Sequence, residues 1–165
     1  MDVNDLKGLF GEVTKRMKAA LDHLQHEFAG VRTGRASVTI LDGVHVEAYG
    51  SKMPLNQMAG LSIPEPQLII AQPFDHSQLG AIEKATEERR RELSKHVHKL
   101  SEEGRNSVRQ VRRDANDRLK KLLKDHKIPE DDEKKGLDEI QKLTDNSIKQ
   151  IDDLQKKKDS ELLGK

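Results

Sequence analysis

Apolar residues recur every three or four positions in three long stretches of the chain, which polar breaks separate. The stretches cover residues 3–31, 93–122 and 137–154, with Leu162 further on. This spacing places apolar side chains along one face of an α-helix. Short connections between such helices favour antiparallel neighbours, so we expect an elongated antiparallel three-helix bundle.

The second stretch has the most regular row of apolar positions, which we call its seam. Residues typical of helix starts mark where this helix and the third helix begin. The seam comprises Leu93, Val97, Leu100, Gly104, Val108, Val111, Ala115, Leu119 and Leu122. Thr86 can cap this helix, with Glu87 and Glu88 in the first turn, where the helix dipole favours acids. Pro129, followed by four acids at 130–133, is typical of the start of the third helix.

Residues 34–85 follow a different pattern. The segment "VHVEAY" at 44–49 alternates as a half-buried strand does, and "QLIIAQ" at 67–72 predicts a second strand between prolines. The segment "SQLGAIEKA" at 77–85 predicts a short helix that Ser77 could cap. We therefore expect a small α+β domain at 34–85, inserted after the first helix.

The bundle would then comprise residues 1–33 and 86–165. Gly34 and the Ala85–Thr86 junction would mark the two crossings between the domains, which favours a hinge there. About fifty residues can bury only a small core.

Composition narrows the class of protein. The chain has three phenylalanines, one tyrosine and no tryptophan, which suits narrow helical packing better than a wide core. The lack of cysteine excludes disulfides and thiolate metal sites. No apolar run approaches the roughly 18 residues of a membrane span, and the N-terminal sequence does not resemble a signal peptide. We expect a soluble, cytoplasmic protein.

Positive charge is concentrated in one segment, although the whole chain has 30 basic and 29 acidic residues. Residues 86–128 contain 14 Lys and Arg against 8 Asp and Glu. On an ideal helix, four arginines lie about 40° to 140° from Val108 and form a ridge beside the seam. They are Arg105, Arg109, Arg112 and Arg113.

This arginine ridge has two interpretations. It could be a solvated face that pairs with acids of the third helix. However, 105–113 contains no acid, and the five-donor fork of arginine suits phosphate. Without interleaved aromatic residues, the ridge favours the backbone of structured RNA over stacked single strands, while remaining compatible with other anionic partners.

No motif predicts an enzyme, a metal site or a cofactor. The pairs His23–His26 and His96–His98 lack the three or four ligands of a zinc site. There is no recognisable nucleophile motif, P-loop or GxGxxG.

Three segments carry a specific resemblance: "VRTGRAS" at 31–37, "TEERRREL" at 86–93 and "VRQVRRDAND" at 108–117. Further support comes from "PLNQMA" at 54–59, "AIEKA" at 81–85 and "EDDEKKGLDEIQKLTD" at 130–145. Together these resemble the bacterial ribosome recycling factor family along nearly the whole chain. The resemblance implies an L-shaped fold, in which a three-helix bundle has a small α+β domain attached by a hinge.

The resemblance also implies a role after translation terminates. The factor binds large-subunit ribosomal RNA in the intersubunit space and separates the subunits with elongation factor G and GTP, which its partner hydrolyses. The implied RNA-binding residues are Arg32, Gly34, Arg35, Arg109, Arg112 and Arg113, and the ridge adds Arg105. Arg112 is expected to be the most damaging single loss. The implied protein is a monomer and performs no covalent chemistry.

The same resemblance implies a hinge that transmits force from elongation factor G. It would comprise Thr33, Gly34, Arg35, Ala36 and Ser37 on one side and Ala85, Thr86 and Glu87 on the other.

One departure from the family is large. A family segment of roughly two dozen residues, with a turn and a closing strand, is absent between Ala85 and Thr86. Either the segment is deleted, or an unresolved stretch interrupts the numbering, which a Cα–Cα distance far above 3.8 Å would reveal. A deletion would remove an edge or closing strand from the small domain and merge its helix with the second long helix. It would also put in doubt the transmission of force from elongation factor G.

The alternative function is that of an interaction protein. A helical hairpin could bind protein partners and use its arginines for salt bridges. A weak dependence of partner affinity on salt would favour this adaptor.

Overall fold

A computed structural model of the chain describes residues 3–31, 41–65 and 68–163. It contains three long helices, α1 at Leu6–Gly30, α2 at Leu79–Lys124 and α3 at Glu130–Leu163. Four short strands lie between α1 and α2: β1 at His45–Ala48, β2 at Ser51–Pro54, β3 at Ala59–Glu65 and β4 at Leu68–Pro73. The predicted class, mainly helical with a small α+β part after the first helix, is confirmed. In these described ranges, no helix combines the length and the apolar character that a membrane span needs.

The chain divides into two compact units. The first comprises Met1–Phe28 and His98–Lys156, and the second comprises Ala29–Val97 and Lys157–Lys165. The unit boundaries therefore fall within helices, whereas the predicted domains divided the chain at 33/34 and 85/86. Those domain boundaries stay a prediction.

In the first unit, α1 and α2 run antiparallel. A Cβ added at Gly104 would lie 3.4 Å from Leu24 Cδ2, while Arg16 Nη1 is 3.9 Å from Asp114 Oδ2. Residue numbers thus rise along α1 as they fall along α2. The small Gly104 lets the two helices approach closely at this level.

Helices α2 and α3 are antiparallel as well. Leu119 packs against Gly136 near the connection, and Arg105 pairs with Asp152 further away. Only residues 125–129 separate the two helices, and Ile128 in this connection is buried. The short connection requires the antiparallel arrangement that the sequence predicted.

The core of the first unit combines apolar side chains of the predicted seam on α2 with buried apolar side chains of α1 and α3. Its most buried members include Leu9, Val13, Val108, Ala115, Leu119, Leu122, Ile140 and Ile151. Thr144 is also fully buried, and its hydroxyl donates to the Ile140 carbonyl at 2.8 Å. A buried hydroxyl costs little when its own helix satisfies it.

The described residues of the second unit form two antiparallel two-stranded sheets, β1–β2 and β3–β4. Its core comprises Val44, Val46, Ala48, Leu55, Met58, Ala59, Ile82 and Ala85. The strands predicted at 44–49 and 67–72 correspond to β1 and β4. Strands β2 and β3 were not predicted, because "YGSKMP" and "AGLSIPE" contain the glycine and proline that usually mark turns.

Helix α2 corrects two predictions about helix starts. It runs through Thr86 without a break, and the Thr86 hydroxyl donates to the carbonyls of Ile82 and Glu83, so this residue is not a cap. Asp75, rather than Ser77, provides the capping side chain before α2, because its carboxylate accepts the Ser77 N–H at 2.9 Å. The predicted short helix and second long helix are one helix, as expected for a deleted segment.

A hydrogen bond from Tyr49 to Asp75 ties the β1–β2 turn to the residues before α2. Tyr49 has a left-handed backbone with φ of 54°. Its hydroxyl donates to one carboxylate oxygen of Asp75. This bond lowers the pKa of Asp75 and raises the pKa of Tyr49, because it stabilises the carboxylate and the protonated phenol.

We expect Gly136→Ala to lower the free energy of unfolding by about 1–3 kcal/mol, because the new methyl would overpack a filled core. Its Cβ would lie 2.9 Å and 3.0 Å from the two terminal carbons of the fully buried Leu119. Gly11→Ala is the matched control, since a Cβ there meets no atom within 4 Å. That change should raise stability by about 0.5–1 kcal/mol. Urea unfolding measures both, and equal effects would contradict the packing argument.

Candidate nucleic-acid interface

The four arginines of the predicted ridge lie on α2 within the first unit. Spacings of three, four and seven residues place Arg105, Arg109 and Arg112 on one side of the helix, with Arg113 beside them. The helix backbone therefore brings together the four candidates at 105–113, but their side chains have different partners.

Arg105 is committed to contacts within the bundle. Its side chain is only 13% exposed, and its Nε donates to Glu102 Oε1 at 2.8 Å. Its two terminal nitrogens bind Asp152 and Gln155 of α3. All three guanidinium nitrogens have partners, so Arg105 links α2 to α3. This pairing with an acid of the third helix is what the first interpretation expected of the whole ridge.

Arg112 and Arg113 are held by neutral side chains. Arg112 Nη1 donates to Gln141 Oε1 of α3 at 3.2 Å, and Arg113 Nη2 donates to Gln110 Oε1 at 2.7 Å. Within the described residues, neither guanidinium has a carboxylate oxygen inside 4 Å. An amide orients the fork without neutralising its charge, which leaves both arginines able to bind an anion.

Arg109 is intermediate between these two cases. It donates to Asn106 Oδ1 at 3.3 Å, and Glu102 Oε2 lies 3.8 Å away. Its side chain is 43% exposed, so this ion pair is weak and a phosphate can compete for the guanidinium. The candidate anion-binding surface, which we name the arginine surface, thus comprises Arg109, Arg112 and Arg113.

The other predicted site residues fall into two groups. Arg32, Thr33, Gly34, Arg35, Ala36 and Ser37 lie outside the described residues. Ala85, Thr86 and Glu87 lie inside α2, where Ala85 is buried in the core of the second unit and Glu87 pairs with Arg91 at 3.2 Å. The predicted hinge, and RNA binding by Arg32, Gly34 and Arg35, stay predictions.

The sequence interpretation missed the amides that orient the arginine surface. Asn106 precedes Arg109 by three residues, and Gln110 precedes Arg113 by three, a spacing that brings helical side chains together. These two partners could have been found from the sequence. Gln141 could not, because it approaches Arg112 from another helix.

Comparisons with known proteins identify relatives along most of the chain. The family model described as Ribosome recycling factor matches residues 24–85 and 82–163. The ribosome-recycling factor of Bradyrhizobium diazoefficiens is 47% identical over 92% of this chain and 94% of its own length. That of Carboxydothermus hydrogenoformans is 44% identical over 96% of this chain and 98% of its own length.

Solved structures agree with these relatives. A solution structure of the ribosome recycling factor is 36% identical and has a TM-score of 0.62, covering 99% of this chain and all of that one. A second is described as the T. thermophilus ribosome recycling factor and E. coli elongation factor G bound to the E. coli post-termination complex. It is 40% identical, with a TM-score of 0.59, over 96% of this chain and 98% of that one.

The same comparisons support a deletion in this chain. The alignment with the Bradyrhizobium protein spans 176 positions, more than the 165 residues present here. That relative therefore contains residues without a counterpart. The two family matches meet at residues 82–85, next to the junction where the sequence predicted the missing segment.

We expect Arg105 and Arg112 to differ in their effects on stability. Arg105→Met should lower the free energy of unfolding by about 1–2 kcal/mol, because Asp152 and Gln155 lose a largely buried donor. Arg112→Met should change it by less than about 0.5 kcal/mol, because its partner Gln141 can turn to water. Urea unfolding of the two variants at equal salt tests this, and equal losses would contradict the division of the ridge.

Proposed function

The chain belongs to the ribosome recycling factor family, and we propose that it recycles ribosomes in the cytoplasm after translation terminates. It binds large-subunit ribosomal RNA in the intersubunit space and separates the subunits with elongation factor G, which hydrolyses the GTP. The observation that carries this proposal is the family match along the chain, combined with an arginine surface that has amide partners. The chain acts as a translation factor and not as an enzyme.

The proposed RNA contacts are electrostatic. Arg112 and Arg113 offer paired donors to phosphate oxygens, and Arg109 exchanges its weak ion pair with Glu102 for a phosphate. A rigid helix suits the backbone of folded RNA, whose shape is fixed. Arg32, Gly34 and Arg35 belong to this interface by resemblance, while Arg105 supports it by holding α2 against α3. One copy of the chain acts on each ribosome.

The proposed action of elongation factor G requires force to reach the bundle. Ile82 and Ala85 are buried in the second unit, and α2 continues from them without a break to the arginine surface. This helix is the proposed route of force transmission. The predicted hinge residues at 33–37 and 85–87 remain part of this proposal.

The alternative function is a helical adaptor whose arginines form salt bridges to a protein partner. One observation favours it, the pairing of Arg105 with two acids. The same observation limits it, because those acids belong to this chain, and within the described residues Arg112 and Arg113 pair with amides and not with acids.

We expect Arg112→Ala to weaken binding to post-termination ribosomes by about tenfold, since a charge-assisted contact to phosphate contributes about 1.5–3 kcal/mol. Loss of one phosphate contact should also reduce the slope of log affinity against log salt by about 0.7–0.9. Arg112→Lys should recover the slope but not the full affinity, because lysine lacks the planar fork. Arg91→Ala is the matched control on the same helix, since it removes an arginine that is 70% exposed outside the ridge.

The binding assay is run beside light scattering of the same ribosomes with elongation factor G and GTP. A fall in scattering that needs both proteins and is weakened by Arg112→Ala supports the proposed function. Binding without subunit separation would limit the function to ribosome binding. Absence of both, or a salt-independent affinity, would favour the adaptor.

A further inference from the structure

Arg89 of α2 lies against a backbone turn of the second unit. The turn is closed by a hydrogen bond from the Val44 N–H to the Leu41 carbonyl at 2.9 Å. A Cβ added at Gly43, within this turn, would lie 3.1 Å from both Cζ and Nη2 of Arg89 and 3.4 Å from its Nε. Gly43 does not have a positive φ. The close approach of the guanidinium, and not the backbone conformation, therefore favours glycine at this position.

Arg89 occupies a position on α2 that faces the core of the second unit. Ile82, Ala85 and Arg89 follow one another at intervals of three and four residues, so they share one face of the helix. The first two are buried in that core. The Arg89 side chain is 33% exposed, yet its Nε is buried and has no hydrogen-bond partner among the described residues. A buried donor without a partner is costly, and an apolar side chain would avoid this cost, so stability alone does not account for arginine here.

The shape of the guanidinium distinguishes arginine from an apolar residue at this position. The group is planar and rigid, whereas a methionine side chain is flexible and fills a space without fixing it. Nη1 of Arg89 donates to Glu92 Oε2 at 3.3 Å, which orients the plane on its own helix while Cζ and Nη2 face Gly43. The turn is held in place as well, because the carbonyl of the buried Val44 accepts the Leu55 N–H at 3.0 Å. Arg89 therefore forms a stiff contact between α2 and the turn before β1.

We propose that Arg89 is a positioning residue for subunit separation, which transfers load from the strands of the second unit to α2. This inference rests on the proposed function, in which α2 carries force to the arginine surface. Ile82 and Ala85 lie only about 4.5 Å apart along the helix axis, so by themselves they act as a pivot for the strands. Arg89 contacts the turn about 6 Å beyond Ala85. A second contact at this distance resists rotation about the pivot, so that a force on the strands turns the helix with them.

Light scattering of post-termination ribosomes with elongation factor G and GTP tests the role of Arg89. At saturating elongation factor G, Arg89→Met should slow subunit separation about tenfold, which corresponds to a loss of roughly 1.4 kcal/mol in the transition state. Ribosome affinity and its dependence on salt should not change, because the arginine surface is intact. The urea midpoint should stay the same or rise, because the unpartnered Nε is removed. Arg90→Met is the matched control, since Arg90 is the next residue of the helix and is exposed, and it should leave all four quantities unchanged.

A second variant changes the same contact from the side of the turn. Gly43→Ala places a methyl against the guanidinium and should also slow subunit separation, with ribosome affinity unchanged. Gly80→Ala is its control, because a Cβ at Gly80 meets no atom within 4 Å. Hydrogen exchange checks the contact without ribosomes. Exchange of the Val44 amide should quicken in Arg89→Met, while the amides of the first unit keep their protection.

The outcomes separate this inference from the proposed function. Equal separation rates for Arg89→Met and the unmodified chain would overturn the positioning role and leave the proposed function standing. A parallel fall in separation rate, ribosome affinity and urea midpoint would also overturn it, because it would indicate loss of folded protein. Absence of separation by the unmodified chain would overturn the proposed function, and this inference with it.

Discussion

The structure depends on one constraint, that α2 is a single helix whose apolar side chains must enter two separate cores. Ile82 and Ala85, in its first turns, are buried in the core of the second unit, whereas Val108, Ala115 and Leu119 are buried in the core of the first. The helix that continues across the Ala85–Thr86 junction therefore supplies apolar side chains to both cores.

The same helix uses arginine for two different purposes, and the partner of each guanidinium decides which. Arg105 is largely buried and is neutralised by acids, because an unpaired charge at that depth would be costly. Arg112 and Arg113 are oriented by glutamines, which fix the donors without cancelling the positive charge. The arrangement keeps the bundle intact and leaves a charged surface for a polyanionic partner.

The second unit has a small core and a partly exposed sheet. Its described strands form two sheets of two strands each, and Ile63, Leu68 and Ile70 of the β3–β4 sheet are exposed. Contacts such as the bond between Tyr49 and Asp75 tie the turns of this unit to the start of α2.

The sequence by itself determined the three helices, the buried seam and the family, because apolar periodicity and local motifs are properties of neighbouring residues. It also predicted that the helices on either side of Ala85 and Thr86 would merge if the family segment is deleted. Only the tertiary structure decided that β2 and β3 are strands despite their glycine and proline, since pairing across the chain overrides local preference. Likewise, only the structure separated Arg105 from Arg112. The two arginines are seven residues apart on one helix, but α3 supplies Asp152 and Gln155 to Arg105 and only Gln141 to Arg112 within the described residues.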